Sequence, residues 1–412
     1  MTVDAPELPP ELIELAHAIA DRGGRAFLVG GGVRDHLMRV PVKDWDVEVF
    51  GVPANALVGV LRERGHVNTV GRAFGVLKWR PRGMRDEEID VSIPRRDSKV
   101  GPGHRGIQVE GDPDMPMAEA ARRRDLTINA LMWDIAAGRL EDPAGGLADL
   151  RAKRLRAVDD GTFLEDPLRA LRVVQFAARL GDFAVDPGLA ALCRRASLSE
   201  LPAERIQGEW GKLLLRSARP SVGLRVARVT NILERVFPQA AALQTDDTLD
   251  ALAAGPRSAL AAGPAWALML AGWLHSDAAA VTPTLDRLWI HTVGGYPVRE
   301  RVTQAVAEVA APLDGDAALR HLSTRAEVRL VIALQSAVRG VSLAAETARA
   351  ETLGVSMKKP PPLLHGRDLG PLGVPPGRGM GQLLQAVYTA QLDGRVRTTK
   401  EALALAGTLH RA

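Results

Sequence analysis

One stretch constrains this chain more than any other. Phe27-Leu28-Val29 runs into Gly30-Gly31-Gly32 and then Val33-Arg34-Asp35, and Asp44-Trp45-Asp46-Val47-Glu48-Val49 follows soon after. An apolar strand that meets three glycines must turn sharply, and glycine lets backbone N–H groups approach a ligand closely. A helix predicted from Val33 adds partial positive charge that suits phosphate near Gly31 and Gly32. Arg34 then sits in the first turn, where it can fork onto phosphate oxygens. A dinucleotide-binding turn is rejected, because Asp35 stands where G-x-G-x-x-G needs its third glycine. On a strand through this region Asp44 and Asp46 share a face, with Cα atoms roughly 6.5–7 Å apart. Hard carboxylate oxygens at that spacing suit Mg²⁺ shared with substrate phosphates. An isolated D-x-D is more often a solvated strand face; the glycine turn ahead of this one favours metal. Asp90, on another predicted strand, is a candidate third carboxylate, with a surface acid as the alternative.

Residues 1–150 read as an α/β block. Short β-type runs at 26–31, 46–51, 75–81 and 87–93 are interrupted by helical patterns at 11–23 and 54–65. After Leu155 the strand signals stop, and helical patterns follow one another at 168–180, 188–196 and 204–217. Proline and glycine clusters around 254–265, 311–316 and 358–379 predict joints. The stretch 358–381 reads as a stiff linker before a last pair of helices.

Composition sets outer limits. A chain of 412 residues holds two to four domains at about 150 residues each. Hydrophobic residues at 46% and charged residues at 25% are those of a soluble protein with ample core. No run approaches the ~18 apolar residues of a membrane span, and the opening MTVDAPELPPELIELA is acidic and proline-rich rather than a secretory signal. The single Cys193 excludes an internal disulfide, so the expectation is a cytoplasmic protein with no membrane partner. Lys+Arg 53 against Asp+Glu 49, with arginine dominant, permits a nucleic-acid partner without requiring one, because a GC-rich genome also enriches arginine. Aromatics at 4% argue against an RNA-stacking sheet.

Further motifs narrow the reading. Arg123-Arg124-Asp125-Leu126-Thr127-Ile128-Asn129-Ala130-Leu131 is followed by DPAGGLADL (142–150), EDPLRALRVVQFAARL (165–180) and LPAERIQGEWGKLL (201–214). With the glycine turn and D-x-D, this order resembles the nucleotidyltransferase superfamily that includes DNA polymerase beta. Within it, the chain resembles the class II tRNA nucleotidyltransferases (CCA-adding enzymes) and their bacterial poly(A) polymerase relatives. The segment 365–394 also resembles their C-terminal pattern. The resemblance implies an α+β fold: a nucleotidyltransferase head with a small mixed sheet (1–150), then an all-helical neck (151–217), body (218–330) and tail (331–412). It implies template-independent addition of C, C and A, from CTP and ATP, to the 3′ end of tRNA. Mg²⁺ is the expected cofactor, and no protein partner is implied. Two departures stand out. Gln175 replaces an arginine that usually faces the nucleotide, and His275 in WLHSDAAA (273–280) lacks the ligand set of an H-D phosphohydrolase domain.

The base-reading problem explains one motif. C and A each present an exocyclic amino donor beside a bare ring nitrogen, whereas U and G present a carbonyl beside a protonated one. A fixed acceptor next to a fixed donor accepts the first pair and repels the second. Asp166 and Arg169, three apart and able to share a helix face, fit this need, and the family assigns its protein template there. Asp166-Pro167 is equally an ordinary helix cap with proline at the first position. Arg172, one turn on, would touch phosphate or base. Arg124 and Asp125 match the motif that contacts ribose and triphosphate, and a carboxylate facing a 2′-hydroxyl favours ribonucleotides. DPAGGLADL reads as a turn and hinge, and Glu204, Arg205, Glu209 and Lys212 as ion pairs on a helix surface. The implied mechanism has two Mg²⁺ on Asp44 and Asp46, with Asp90 assisting, and no histidine base. The segment 95–116 is long enough for the flexible loop that CC-only enzymes shorten. Poly(A) addition, CC-only or A-only activity, a silent tRNA-binding protein and a nucleotide-sensing regulator remain as alternatives.

Overall fold

The computed structural model describes residues 4–42, 44–68, 76–84, 87–99 and 107–411. The chain divides into two compact units, Met1–Val173 with Asp182–Ser197, and Val174–Gly181 with Leu198–Ala412. Together they give the expected α+β class, a mixed sheet in the head and a helical remainder.

The strands of the first unit are β1 (Arg25–Val29), β2 (Asp46–Phe50), β3 (Gly65–Asn68), β4 (Val76–Pro81), β5 (Ile89–Ser92), β6 (Arg95–Lys99), β7 (Ile107–Gly111), β8 (Met132–Asp134), β9 (Arg139–Glu141), β10 (Arg154–Leu155) and β11 (Ala184–Val185). Seven form one sheet in the order β3-β4-β5-β2-β1-β8-β9. Only the β2–β5 pairing in it is parallel. Its helices are α1 (Pro10–Ala20), α2 (Gly31–Leu37), α3 (Ala54–Arg64), α4 (Met117–Arg122), α5 (Gly146–Arg151), α6 (Asp160–Glu165), the start of α7 (Leu168–Arg179) and α8 (Pro187–Arg195).

Periodicity explains the core. In α1, Leu12, Leu15, Ala16 and Ile19 recur at helical spacing and are all buried. Ala26–Val29 and Val47–Phe50 are buried throughout, as central strands covered on both faces must be. Phe27 and Phe50 meet edge to face at 5.3 Å, in a cluster with Val29, Met115, Ala120 and Met132. Register then fixes the site. Leu28 pairs with Val47, so the glycines ending β1 lie beside the start of β2. Asp46 pairs with Asp90, and Asp90 with Lys78.

Several expectations need correction. Helix α2 begins at Gly31 rather than Val33. Asp44 precedes the strand, because β2 begins at Asp46. A strand also occurs after Leu155, since β11 pairs in parallel with β10. The segment 95–116 begins in β6 and contains β7, which pair with each other; residues 100–106 lie outside the described residues.

The second unit is helical among its described residues, apart from an isolated bridge between Val293 and Tyr296. Helix Ala262–Leu274 is apolar all round and buried from Gly263 onward. Trp273 from that helix meets Trp210 of α9 (Ala203–Arg216) at 5.4 Å and Phe237 at 5.2 Å. His275 follows it as a packed histidine, with Thr248 Oγ1 3.3 Å from its Nε2, and burial lowers its pKa. Glu209 and Lys212 pair at 2.8 Å, but Glu209 is buried rather than on the surface. Helices Arg378–Leu392 and Thr399–Arg411 are the expected last pair and share a small core with Leu364, Leu369 and Val374. The expected boundary at 330/331 falls inside helix Val328–Arg339, whose Leu330, Val331 and Ile332 are buried. No helix among the described residues is long and apolar enough to cross a membrane.

Candidate active site

The glycine turn opens the site. Gly30 has φ 71° and ψ −133°, a conformation that residues with a Cβ rarely adopt. A Cβ there would lie 3.4 Å from Arg124 Nη1 and 3.5 Å from Asp46 Oδ2, so backbone, cation and carboxylate converge at this point. A Cβ at Gly31 would lie 3.4 Å from Arg34 Nη2, and one at Gly32 would lie 3.4 Å from Asp44 O and from the Leu28 and Val42 side chains.

The carboxylates gather beside that turn. Burial raises the pKa of Asp46, and Asp90 and Asp44 raise it further, while Arg124 and Lys78 pull it down. Lys78 Nζ donates to Asp90 Oδ1 at 3.2 Å and to Glu88 Oε1 at 2.9 Å. The structure thus brings Asp44, Asp46 and Asp90 into electrostatic contact although only Asp46 and Asp90 are on strands. Among the described residues no group of three His, Cys, Asp or Glu side chains could by itself hold a metal ion. Mg²⁺ ordinarily takes only one or two carboxylates and completes its shell with water and substrate phosphate. Carboxylates crowded around a partly buried Asp46, whose pKa is raised, are a donor set a divalent cation would fit.

Glu48 is a site residue that sequence reasoning missed. It is 2% exposed, and its two oxygens accept from Arg123 Nη2 at 3.2 Å and Arg124 Nη2 at 3.1 Å. The signal was present, since Glu48 lies two residues beyond Asp46 and so shares its strand face. By holding Arg124, Glu48 aims that cation at Gly30 and Asp46.

The remaining predicted ligands are joined inside the fold. Arg34 is buried, where phosphate contact had been expected. Its Nε and Nη2 donate to Asp35 Oδ1, and its Nη1 to Asn129 Oδ1 at 2.6 Å. Asn129 Nδ2 donates to Asp125 Oδ1 at 3.0 Å, and Arg172 Nε to Asp125 Oδ2 at 2.6 Å. One polar chain therefore ties the glycine turn to the Arg124-Asp125 motif and to α7. Burial alone would raise the Asp125 pKa, but Arg172, Asn129 and the Leu126 N–H bring it below the usual carboxylate range.

Asp166 sits between α6 and α7, and its Oδ1 accepts from the Leu168 N–H at 3.1 Å, which is the helix-cap geometry. Arg169 donates to Thr162 O at 2.9 Å and to Arg123 O. Burial lowers its pKa, opposed by Asp125 and Asp166, so the carboxylate and guanidinium do lie near each other. Gln175 is buried, with Arg179 Nη1 3.5 Å from its Oε1. In the glycine-rich turn, Asp142 caps α5 through the N–H groups of Gly146 and Leu147. Fully buried Asp149 accepts from Thr127 Oγ1, Arg154 and Arg156. Cys193 is buried and its thiol is pushed up to about 12, which removes it from nucleophilic chemistry.

The chain is similar to known proteins. Residues 26–156 match the poly A polymerase head domain, and residues 182–243 match the probable RNA and SrmB-binding site of polymerase A. The chain is 38% identical over 219 residues to the multifunctional CCA protein of Azoarcus sp. (strain BH72), covering 52% of this chain and 50% of that protein. It is 40% identical to that of Leptothrix cholodnii, covering 52% and 49%. The matches thus span about half the length of these relatives. Among solved structures, the fold is similar to that of the Bacillus stearothermophilus CCA-adding enzyme in complex with CTP, with a TM-score of 0.73 and 22% identity, covering 98% of this chain and 99% of that one. It is also similar to the Thermotoga maritima CCA-adding enzyme complexed with tRNA, with a TM-score of 0.62 and 20% identity, covering 98% and 96%.

Proposed function

We propose that this chain, which over its N-terminal half belongs to the class II tRNA nucleotidyltransferase and poly(A) polymerase family, adds C, C and A from CTP and ATP to the 3′ end of tRNA. One observation carries the reading above others. The carboxyl of Asp46, crowded by Asp90 and Asp44, lies against Gly30 and Arg124, so a site for cation and a site for triphosphate adjoin.

Each residue then has a task. Arg124, aimed by Glu48, meets the phosphates at the glycine turn. Arg34 and Asp125 hold that turn, the 123–131 motif and Arg172 in register, and Arg172 sits at the nucleotide's edge of α7. Asp166 and Arg169 form the acceptor and donor that read the amino edge of C or A, with Arg169 oriented by carbonyls of Thr162 and Arg123. Asp44 and Asp46 would hold Mg²⁺, with Asp90 beside them; bound in the expected two-ion arrangement, it supplies charge neutralisation for the triphosphate and the attacking 3′-hydroxyl.

The test incubates purified chain with tRNAs ending before C, after C and after CC, supplies CTP and ATP separately, and sizes the products. CTP should extend the first two and ATP only the third. Long A tails would instead make it a poly(A) polymerase, and growth by C alone or by one A alone a partial enzyme. Tight tRNA binding without incorporation would make it a silent binding protein.

A further inference from the structure

Trp289 occupies a position in the second unit that its chemistry does not suit. Helix Val281–Arg287 is followed by Leu288 and then by Trp289 at φ 48°. The Trp289 N–H donates to Asp286 O at 2.9 Å, and the Ile290 N–H to Leu285 O at 3.1 Å. This double closure ends a helix on a left-handed residue, usually glycine. Leu288 and Ile290 are fully buried, whereas Trp289 is 60% exposed. Arg39, Lys153 and Asn231 also take positive φ, but their exposed side chains are polar. Trp289 alone joins that backbone to an exposed apolar ring, and among the described residues it is the only exposed Phe, Tyr or Trp. Neither the turn nor the core requires a tryptophan here, and strain that packing does not explain points to a ligand.

We infer that Trp289 is a stacking surface for a nucleobase of the RNA substrate. This contact rests on the reading of the chain as a tRNA nucleotidyltransferase. A single ring offers too little area to hold a protein partner, which needs many hundreds of square ångströms, roughly 800 Å² per side. Its surroundings suit a nucleic acid better. The segment 286–301 carries Arg287, Arg299 and Arg301 against Asp286 and Glu300, with Arg301 also 3.6 Å from the buried Glu327 and Arg287 donating to Leu201 O at 3.2 Å. Arg299 is held at this corner by an ion pair with Asp286 and by its N–H donating to His291 O at 3.1 Å. An aromatic face beside arginines takes a base on the ring and its phosphates on the cations, with little sequence preference.

The test compares Trp289→Phe, Trp289→Leu and Trp289→Gly with the parent chain. Circular dichroism checks folding, and tRNA affinity is measured across a salt series. Loss of one stacked base weakens binding roughly five- to a hundredfold. Leu and Gly should show that loss while Phe stays within about threefold of the parent, because a π-face, not apolarity, is needed. The salt slope should not change, because no phosphate contact is removed. Parent-level affinity in the folded Leu and Gly variants, or a loss in Phe equal to that in Leu, would overturn the proposal. CMP and AMP incorporation by the parent reports separately on the underlying reading. If the parent incorporates while the variants bind as it does, the stacking site falls and the enzyme stands; if the parent neither binds nor extends tRNA, both fall.

Discussion

Asp125→Asn should destabilise the first unit by an amount that disappears in acid. Asp125 accepts from the Leu126 N–H at 2.8 Å, from Asn129 Nδ2 at 3.0 Å and from Arg172 Nε at 2.6 Å. Asparagine keeps the shape and one acceptor, so the main loss is the charge facing Arg172. A hydrogen bond to a charged partner is worth about 1.5–3 kcal/mol net. The Arg172 side chain is 32% exposed, so solvent screens the pair and the lower end applies, roughly 1.5–2 kcal/mol. Asp125→Ala also strands the Leu126 N–H and the Asn129 amide and should cost roughly 3–4 kcal/mol. The native pKa of Asp125 lies below its ordinary value, so its contribution is complete above about pH 4 and is lost as pH falls through the native value. The gap between Asp125→Asn and the parent should therefore be flat from pH 5 to 8 and narrow below pH 4. Urea unfolding at several pH values measures it. A gap under about 0.5 kcal/mol at pH 7, or one of equal size at pH 3, would refute the reasoning. Because both oxygens are engaged, the preference for ATP over dATP should also survive in Asp125→Asn; a lost preference would return the carboxylate to the ribose.

Three further outcomes are expected. Asp46→Asn and Asp44→Ala should abolish incorporation while leaving tRNA affinity nearly intact, as gel shifts alongside primer extension would show. Because the native Asp46 pKa is raised, its own contribution to the stability of the metal-free protein should be complete below the ordinary carboxylate range and be lost as pH rises through the native value; Mg²⁺ should offset that loss, as melts of the parent and Asp46→Asn with and without Mg²⁺ can measure. Asp166→Ala removes a cap worth about 1 kcal/mol; as a base reader it should also raise UTP and GTP misincorporation roughly tenfold, whereas uniform slowing with intact selectivity would leave only the cap.

Much of the head was legible because its signals are local. Strand β1 is an unbroken apolar run ended by glycines, and α1 spaces Leu12, Leu15, Ala16 and Ile19 at helical intervals, so both were expected where they occur. The run expected at 46–51 matches β2, but the place of Asp44 just before it was not legible. Asp44-Trp45-Asp46 alternates as a strand should, but regular pairing begins only where Asp46 meets Asp90 of β5, far along the chain. The boundary expected at 330/331 lies inside helix Val328–Arg339, whose buried residues run from Val328 to Gln335.

The site shows a different limit. Sequence supplies an inventory of charges but not their partners, and an arginine in a ligand-binding motif looks alike whether it faces phosphate or protein. Arg34 was expected on phosphate, yet Asp35 and Asn129 take its donors in the interior. Glu48 shares the strand face of Asp46, but its partners, Arg123 and Arg124, lie 75 and 76 residues away, so its role was not legible. These pairings sort the motif by electrostatics. Asp125 offsets Arg172, and Asp35 offsets Arg34, so neither arginine brings much uncompensated charge to a triphosphate. Arg124 shares Glu48 with Arg123, which leaves that corner cationic, and Arg124 also stands 3.4 Å from the Cβ position of Gly30. The excess positive charge therefore lies at the glycine turn and the excess negative charge at Asp44, Asp46 and Asp90, with Asp46 touching both. A triphosphate needs a cation at one end and a metal at the other, and under the proposed function this division of charge would supply each beside the glycine turn.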